Sequence, residues 1–165
     1  MGVDMNHDAV SQIVETVVKQ VLASSAYQDM TLDAAVRLIE KVKAKAAGMG
    51  VNAVAAVSNR SARPVAVECM DGSYIASYDI AVNKAFTAVS LKMPTSGLKE
   101  LARPGASLYG IQFTNEGKLV IFGGGVPLYN RDGVLIGGLG VSGGSEEQDT
   151  ALAEFGESVF HQCLV

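Results

Sequence analysis

The residues most suggestive of chemistry lie in the stretch GLGVSGG, Gly138 to Gly144. Gly138, Gly140 and Gly143 spell G-x-G-x-x-G, the spacing that cradles a dinucleotide pyrophosphate, while Gly140, Ser142 and Gly144 spell G-x-S-x-G, the turn that presents a nucleophilic serine. The hydrolase pattern gains an apparent acid and base, because Asp149 and His161 follow Ser142 in chain order. Geometry removes that triad: the acid and the histidine fall on one predicted helix, twelve residues and so about 18 Å apart along its axis. The dinucleotide pattern fails too. It needs a second parallel strand carrying an acid about 20 residues on, and the 21 residues after Gly144 make a single helix. Glu146, Glu147 and Asp149 also place carboxylates in the first turn of that helix, where a phosphate would otherwise sit. No catalytic residue is assigned, and an enzyme is the less favoured class.

What remains is the glycines themselves: Gly123, Gly124, Gly125, Gly137, Gly138, Gly140, Gly143 and Gly144. Glycine in a strand lets another backbone or a ligand come close. The series therefore either seats a helix tightly on a sheet or floors a shallow gap for a flat or extended small molecule.

The elements that position these residues follow from hydrophobic periodicity. Thr31 caps a helix whose buried stripe is Leu32, Ala35, Val36, Ile39, Val42 and Ala46, ended by Gly48 and Gly50. VNAVAAVS and PVAVECM, joined by NRSAR, read as a hairpin, with a further turn at Asp71-Gly72. A third helix is expected from about Tyr74 to Met93, with Ile75, Tyr78, Val82, Ala85, Phe86, Val89 and Met93 on one side and Pro94 ending it. After a helical turn at GLKELA come the β-type runs SLYGIQF, KLVIF and VPLY, the last passing through NRDG into VLIGGLGV. A final helix starts after Gly144. Strands linked by tight turns imply an antiparallel sheet with helices packed on it, an α+β domain.

With 165 residues the chain suits one domain plus an appendage. A net charge of -4 gives no footprint for nucleic acid or an anionic membrane. No apolar run approaches the ~20 residues of a membrane span, and MGVDMNHDAV has an acid where an export signal would be basic. Cys69 and Cys163 have neither metal-ligand spacing nor disulfide-scaffold density, so both are expected as buried thiols in a reducing cytosol.

The leading segment is an amphipathic helix, residues 1–22, followed by a linker over 23–29 and the main domain from 30 to 165. Its stripe is Val10, Ile13, Val14, Val17, Val18, Val21 and Leu22; Asn6 or Asp8 can cap it, and Glu15 and Lys19 pair on the wet face. Six of the seven stripe residues are β-branched, so the helix is marginal alone and needs its stripe covered. It packs on its own domain or a sister subunit, or it docks on a partner; a single lysine argues against a membrane surface. A terminal segment of this pattern resembles the encapsulation peptides that send proteins into bacterial microcompartments.

In DIAVNKAFTA, Asp79 to Ala88, and in GGGVPLYNRDGVLIGGLGVSGG followed by Asp149, the chain resembles the GlcG/HbpS-like family of haem-binding and haem-degrading proteins, which includes the C-terminal domain of PduO-type proteins. The marks are Asp79, Ala81, Lys84, Ala85, Thr87 and Ala88, then Gly123 to Gly125, Pro127, Gly133, Gly137, Gly140, Val141, Ser142, Gly143 and Asp149. The resemblance implies a profilin-like fold with a five-stranded antiparallel sheet, homo-oligomeric assembly, and haem or a related tetrapyrrole as ligand. Lys84 and Thr87, one helical turn apart, either offer a cation and a hydroxyl to one ligand carboxylate or serve the helix itself. With Gly123, Gly124 and Gly125 they form the expected ligand site. The metal ligand stays open: Met30, Met49, Met93, Tyr74 and Tyr78 are chemically able to hold iron, and His161 is the one histidine of the resembling segment. These resemblances together imply, as the expectation, a haem-binding accessory protein of the bacterial cytoplasm, with a microcompartment shell protein as partner if the leading helix docks outside its own domain. The alternative is an enzyme or enzyme chaperone acting on a small metabolite of glycolate, glycerol or propanediol utilisation.

Overall fold

Thr31 opens the domain as its position suggests, its hydroxyl accepting the Ala34 N–H at 3.2 Å. Just before it, the Asp29 carboxylate accepts from the N–H groups of Met30 and Arg60 at 2.9 and 2.8 Å, pinning the end of the linker to the β-hairpin turn. The computed structural model describes residues 7–24 and 29–164. Its elements run α1 (His7–Ser24), α2 (Leu32–Gly48), β1 (Val54–Asn59), β2 (Pro64–Cys69), α3 (Ser77–Leu91), α4 (Thr95–Ala102), β3 (Gly125–Tyr129), β4 (Leu135–Ser142) and α5 (Glu146–Val159).

The four strands form one antiparallel sheet in the order β2-β1-β4-β3. Alternation along β1 sorts its side chains between two layers. Ala55 and Val57 join Leu38, Ile39 and Val42 of α2 and Leu152 of α5 in the main core, whereas Val54 and Ala56 meet Ala81 of α3. The sheet is therefore sandwiched, with α2 and α5 on one face and α3 on the other. Both faces being covered, β1 is a continuous run of small apolar residues.

Helix α3 packs on β4 without intervening side chains. A Cβ on Gly140 would overlap the Ala81 carbonyl oxygen and lie 2.6 Å from the Ala85 nitrogen, and one on Gly138 would lie 2.7 Å from Val89 Cγ2. These glycines hold the helix against the strand backbone, so the space they leave is occupied by protein.

Four expectations need correction. In α2 the buried stripe runs through Ala34, Ala35, Leu38, Ile39, Val42 and Ala46, so Leu32, in the first turn, and Val36, on the flank, are exposed. The sheet has four strands among the described residues, not five. SLYGIQF is broken by Gly110, at φ 90°, into turns and a short 3-10 segment, Ile111–Phe113. KLVIF forms no strand: Lys118 has helical dihedrals at the end of a turn, and the Val120 N–H donates to the Thr87 hydroxyl at 2.9 Å in place of a neighbouring strand. The third helix starts at Ser77, three residues later than expected, with no side-chain cap. That leaves Tyr74 and Ile75 in a preceding turn, 73% and 97% exposed, and Tyr78 exposed as well. Finally, Cys163 is buried but Cys69, at the end of an edge strand, is exposed.

Along α1 the apolar stripe faces outward: Ile13 is 62% exposed, Val14, Val17 and Val18 are exposed, and Val10 is half-buried. The side chains of Val21 and Leu22, Asn6 as a cap and linker residues 25–28 lie outside the described residues. No described helix is long and apolar enough to cross a membrane.

Candidate functional site

At the C-terminal end of β4 the strand passes from Ser142 through Gly143 and Gly144 into α5, facing the N-terminus of α3. Ser145 caps α5 in a reciprocal box: its hydroxyl accepts the Gln148 N–H, and the Gln148 side chain accepts the Ser145 N–H at 2.9 Å. The carboxylates of the first turn are bound locally. Asp149 Oδ1 accepts the Gly144 N–H at 2.9 Å; Glu146 accepts the Gly123 N–H at 3.0 Å and pairs with Lys99 at 2.6 Å. Lys99 and the Gly123 amide hold the Glu146 carboxyl below its ordinary range. The helix dipole is thus already served by the protein's own acids, as the sequence suggests, and β4 pairs antiparallel on both sides, so no dinucleotide unit exists here.

Beneath this corner lies Lys84, whose side chain is 0% exposed. Its Nζ donates to Asp149 Oδ2 and to the Val141 carbonyl, both at 2.8 Å, and the Phe122 ring covers it with a centroid 4.9 Å away. Burial pushes the lysine below its ordinary value, while the Asp149 partner opposes that shift. Gly124 makes the arrangement possible: at φ 109°, a Cβ there would lie 2.6 Å from Lys84 Nζ and 2.7 Å from the Val141 oxygen.

Lys84 and Thr87 therefore do not converge on one ligand group. The Thr87 hydroxyl donates to the Asn83 carbonyl at 2.7 Å and accepts from Val120, stitching the segment before β3 to α3. Gly123, Gly124 and Gly125 are closely packed on one side, and Gly124 and Gly125 line only a small hollow of about 80 Å³ with Pro94, Ser96 and Glu157. A Cβ on Gly123 would overlap Thr150 Oγ1, and one on Gly125 would lie 2.7 Å from both the Lys84 carbonyl oxygen and Thr95 Cγ2.

Open space begins one layer further out. A cleft of about 300 Å³ has an apolar wall of Tyr74, Ala76, Ile80 and Phe122 and a polar floor of Ser77, Ser142 and Asp149. Ser77 and Ser142 are buried and share a hydrogen bond of 3.2 Å. A second, more polar hollow of about 440 Å³, with Asn52, Ser145 and Gln148, shares Tyr74, Gly143 and Gly144 with the cleft. Apolar walls, a few convergent polar groups and this size are the attributes of a small-molecule site. Sequence reasoning missed Ile80, Phe122 and Ser77 here. The usable signal is the density of apolar residues at Tyr74, Ile75, Ala76, Tyr78 and Ile80, which periodicity alone assigns to a helix face.

The cleft suits a flat apolar ring system bearing iron. Its wall is aromatic and aliphatic, Tyr74 on it is 73% exposed, and the Tyr74 hydroxyl is a competent iron ligand. Glu146, paired with Lys99, and Asp149, paired with Lys84, also line the cleft, so the carboxylates of such a guest would have to stay in solvent. Of the other iron-capable residues, Met30 is buried against Gly137, Met49 packs on the main core, and Met93 lies against Gly97. His161 is exposed beyond α5 with Nε2 3.1 Å from the Tyr129 carbonyl. Ser142, Asp149 and His161 form no triad. Among the described residues, no group of three His, Cys, Asp or Glu side chains is placed to hold a bare metal ion.

The family described as haem degrading protein HbpS-like matches residues 30–157. An uncharacterized 15.0 kDa protein from the dhaT-dhaS intergenic region of Citrobacter freundii is 43% identical over 125 residues, covering 76% of this chain and 87% of that one. The corrinoid adenosyltransferase PduO of Salmonella typhimurium is 49% identical over 85 residues, which is 52% of this chain and only 25% of that enzyme. Among solved structures, a PduOC:heme complex superposes with a TM-score of 0.75 at 35% identity, covering 79% of this chain and 94% of that one. The chain belongs to the HbpS-like family.

Proposed function

We propose that the protein binds haem or a related tetrapyrrole in the cleft between the starts of α3 and α5, as an accessory protein with no catalytic residue of its own. The observation that carries this reading is the apolar wall of exposed Tyr74, Ala76, half-buried Ile80 and Phe122 around a cleft of about 300 Å³. The haem complex of a relative with 35% identity supports it. Ile80 and Phe122 would hold the ring faces, and Ser77 and Ser142 would offer hydroxyls at the floor. The bound group supplies one-electron and oxygen chemistry; the chain supplies binding, orientation and shielding from water.

The test is a titration of the purified protein with ferric haemin. A saturable shift of the Soret band is expected, weakened at least tenfold by Ile80→Glu, which places a charge on the apolar wall. A spectrum that only grows as free haemin is added would overturn the reading.

The exposed stripe of α1 supports the second part of the proposal, an address. No part of the described domain covers Ile13, Val14, Val17 and Val18, so the helix is available to a microcompartment shell protein. Exposure of Ile75, Tyr109 and Phe113 on the domain supports homo-oligomers, to be measured by light scattering.

A further inference from the structure

We propose that Tyr74 ligates the iron of a bound ferric haem through its phenolate oxygen. This deepens the reading of the cleft as a haem site and rests on it. The argument is one of placement. An iron ligand must reach the open space, and the candidates are dispersed over the molecule. Leu135–Ser142 is an eight-residue strand, so its two ends are about 25 Å apart. The Tyr129 carbonyl that holds His161 lies opposite Leu135, far from the cleft at Ser142. The thiol of Cys163 is buried in the main core, and Cys69, at the same end of the sheet as Ser142 but two strands away, does not line the cleft. Both carboxylates at the cleft are already bound, Asp149 by Lys84 and Gly144, Glu146 by Lys99 and Gly123.

Tyr74 differs on each count. It lines both the apolar cleft and the adjoining polar hollow. It stands in a turn ahead of α3, and its hydroxyl makes no hydrogen bond to the other described residues. A large aromatic side chain that is 73% exposed at the mouth of an apolar cleft has no packing reason to be there. On ligation the phenol loses its proton to bulk water, and its oxygen displaces an iron-bound water. A hard anionic oxygen favours the ferric over the ferrous ion, so affinity falls on reduction.

The experiment compares the wild-type chain with Tyr74→Phe and, as a control outside the cleft, Tyr78→Phe. Ferric haemin bound to the wild type and to Tyr78→Phe is expected to give phenolate-to-iron charge-transfer absorption and phenolate bands in the resonance Raman spectrum. Tyr74→Phe should lose both and bind ferric haemin at least tenfold more weakly. Iron-free protoporphyrin should bind all three proteins equally, which separates iron ligation from stacking and shows that the variant remains folded. Dithionite reduction should weaken wild-type binding at least tenfold. Saturable haemin binding with an unchanged spectrum in Tyr74→Phe would overturn the assignment while leaving the haem reading intact. Failure of the wild type to bind haemin would remove that reading, and the assignment with it.

Discussion

Replacing Asp149 by Asn probes the buried pair that holds the corner together. In the wild type, Lys84 Nζ has two acceptors at 2.8 Å, Asp149 Oδ2 and the Val141 carbonyl, and the Phe122 face above it. Asn has the shape of Asp but only one acceptor. If its oxygen serves the Gly144 N–H, its NH₂ points at the lysine; if it turns, two donors meet at Gly144. Either way a fully buried ammonium loses its counter-charge, which costs about 3–5 kcal/mol. For a chain of this size each kcal/mol lowers Tm by roughly 2–4 °C, so a drop of about 6–20 °C is expected by calorimetry. The double variant Lys84→Met, Asp149→Asn should recover most of the loss, since it removes the stranded charge and keeps an acceptor for Gly144.

The pH dependence supplies an independent check. Burial sets the native value of Lys84 below its unfolded value, so below both values the two states are equally protonated and the native state carries the whole penalty. As pH rises between the two, the native lysine sheds its proton first, the unfolded state binds more protons, and stability increases. Without Asp149 the native value falls further, the window widens, and the deficit of the Asn variant should shrink as pH approaches ~10 in urea titrations. A loss below about 1 kcal/mol, or a deficit that grows with pH, would refute a charged, structurally required Lys84.

The remaining predictions concern the scaffold and the leading helix. Gly140→Ala places a methyl group on the Ala81 carbonyl and should lower stability by more than about 4 kcal/mol, read as lost soluble yield or a collapsed urea midpoint. Gly48→Ala, the last residue of α2 with nothing within 4 Å of the added methyl, should instead raise stability by about 0.4–1 kcal/mol. Ser145→Ala opens the capping box of α5 and should cost about 1 kcal/mol, a Tm shift of roughly 2–4 °C. Removing residues 1–26 should leave both Tm and haemin affinity nearly unchanged and abolish co-purification with shell proteins. A large loss of stability would mean that the stripe packs on the domain.

Periodicity carried the reading where one face of an element is wet, as in the Thr31 cap and the Ala35, Ile39, Val42 and Ala46 positions of α2 and in the β1-β2 hairpin, although Leu32 and Val36 of the same stripe face solvent. It misled where polar contacts override the pattern. KLVIF has strand composition, but a threonine hydroxyl on α3 takes the amide that a neighbouring strand would need. Tyr74 and Ile75 extend the apolar spacing of α3, yet the helix begins after them and they are left on the surface. Lys84 looked like a hand reaching for ligand because its partner Asp149 lies 65 residues away on another helix. The glycine series admitted two explanations, and only the position of α3 relative to β4 separates them.

That position also explains where ligand chemistry can occur. Setting a helix directly on a strand leaves no room between α3 and β4, and the proposed cleft accordingly lies at the margin where α3 begins, β4 ends and α5 starts. Lys84 and Asp149 brace this margin from below, joining α3 to α5 across the end of the sheet. The tether of α1 is at the opposite end of β4, where the Met30 N–H bonds to the Ile136 carbonyl at 3.0 Å and Asp29 grips the hairpin turn. About 25 Å of buried strand separates the two regions. On the proposal that a partner holds the leading helix, this separation predicts equal haemin affinity with and without the partner bound.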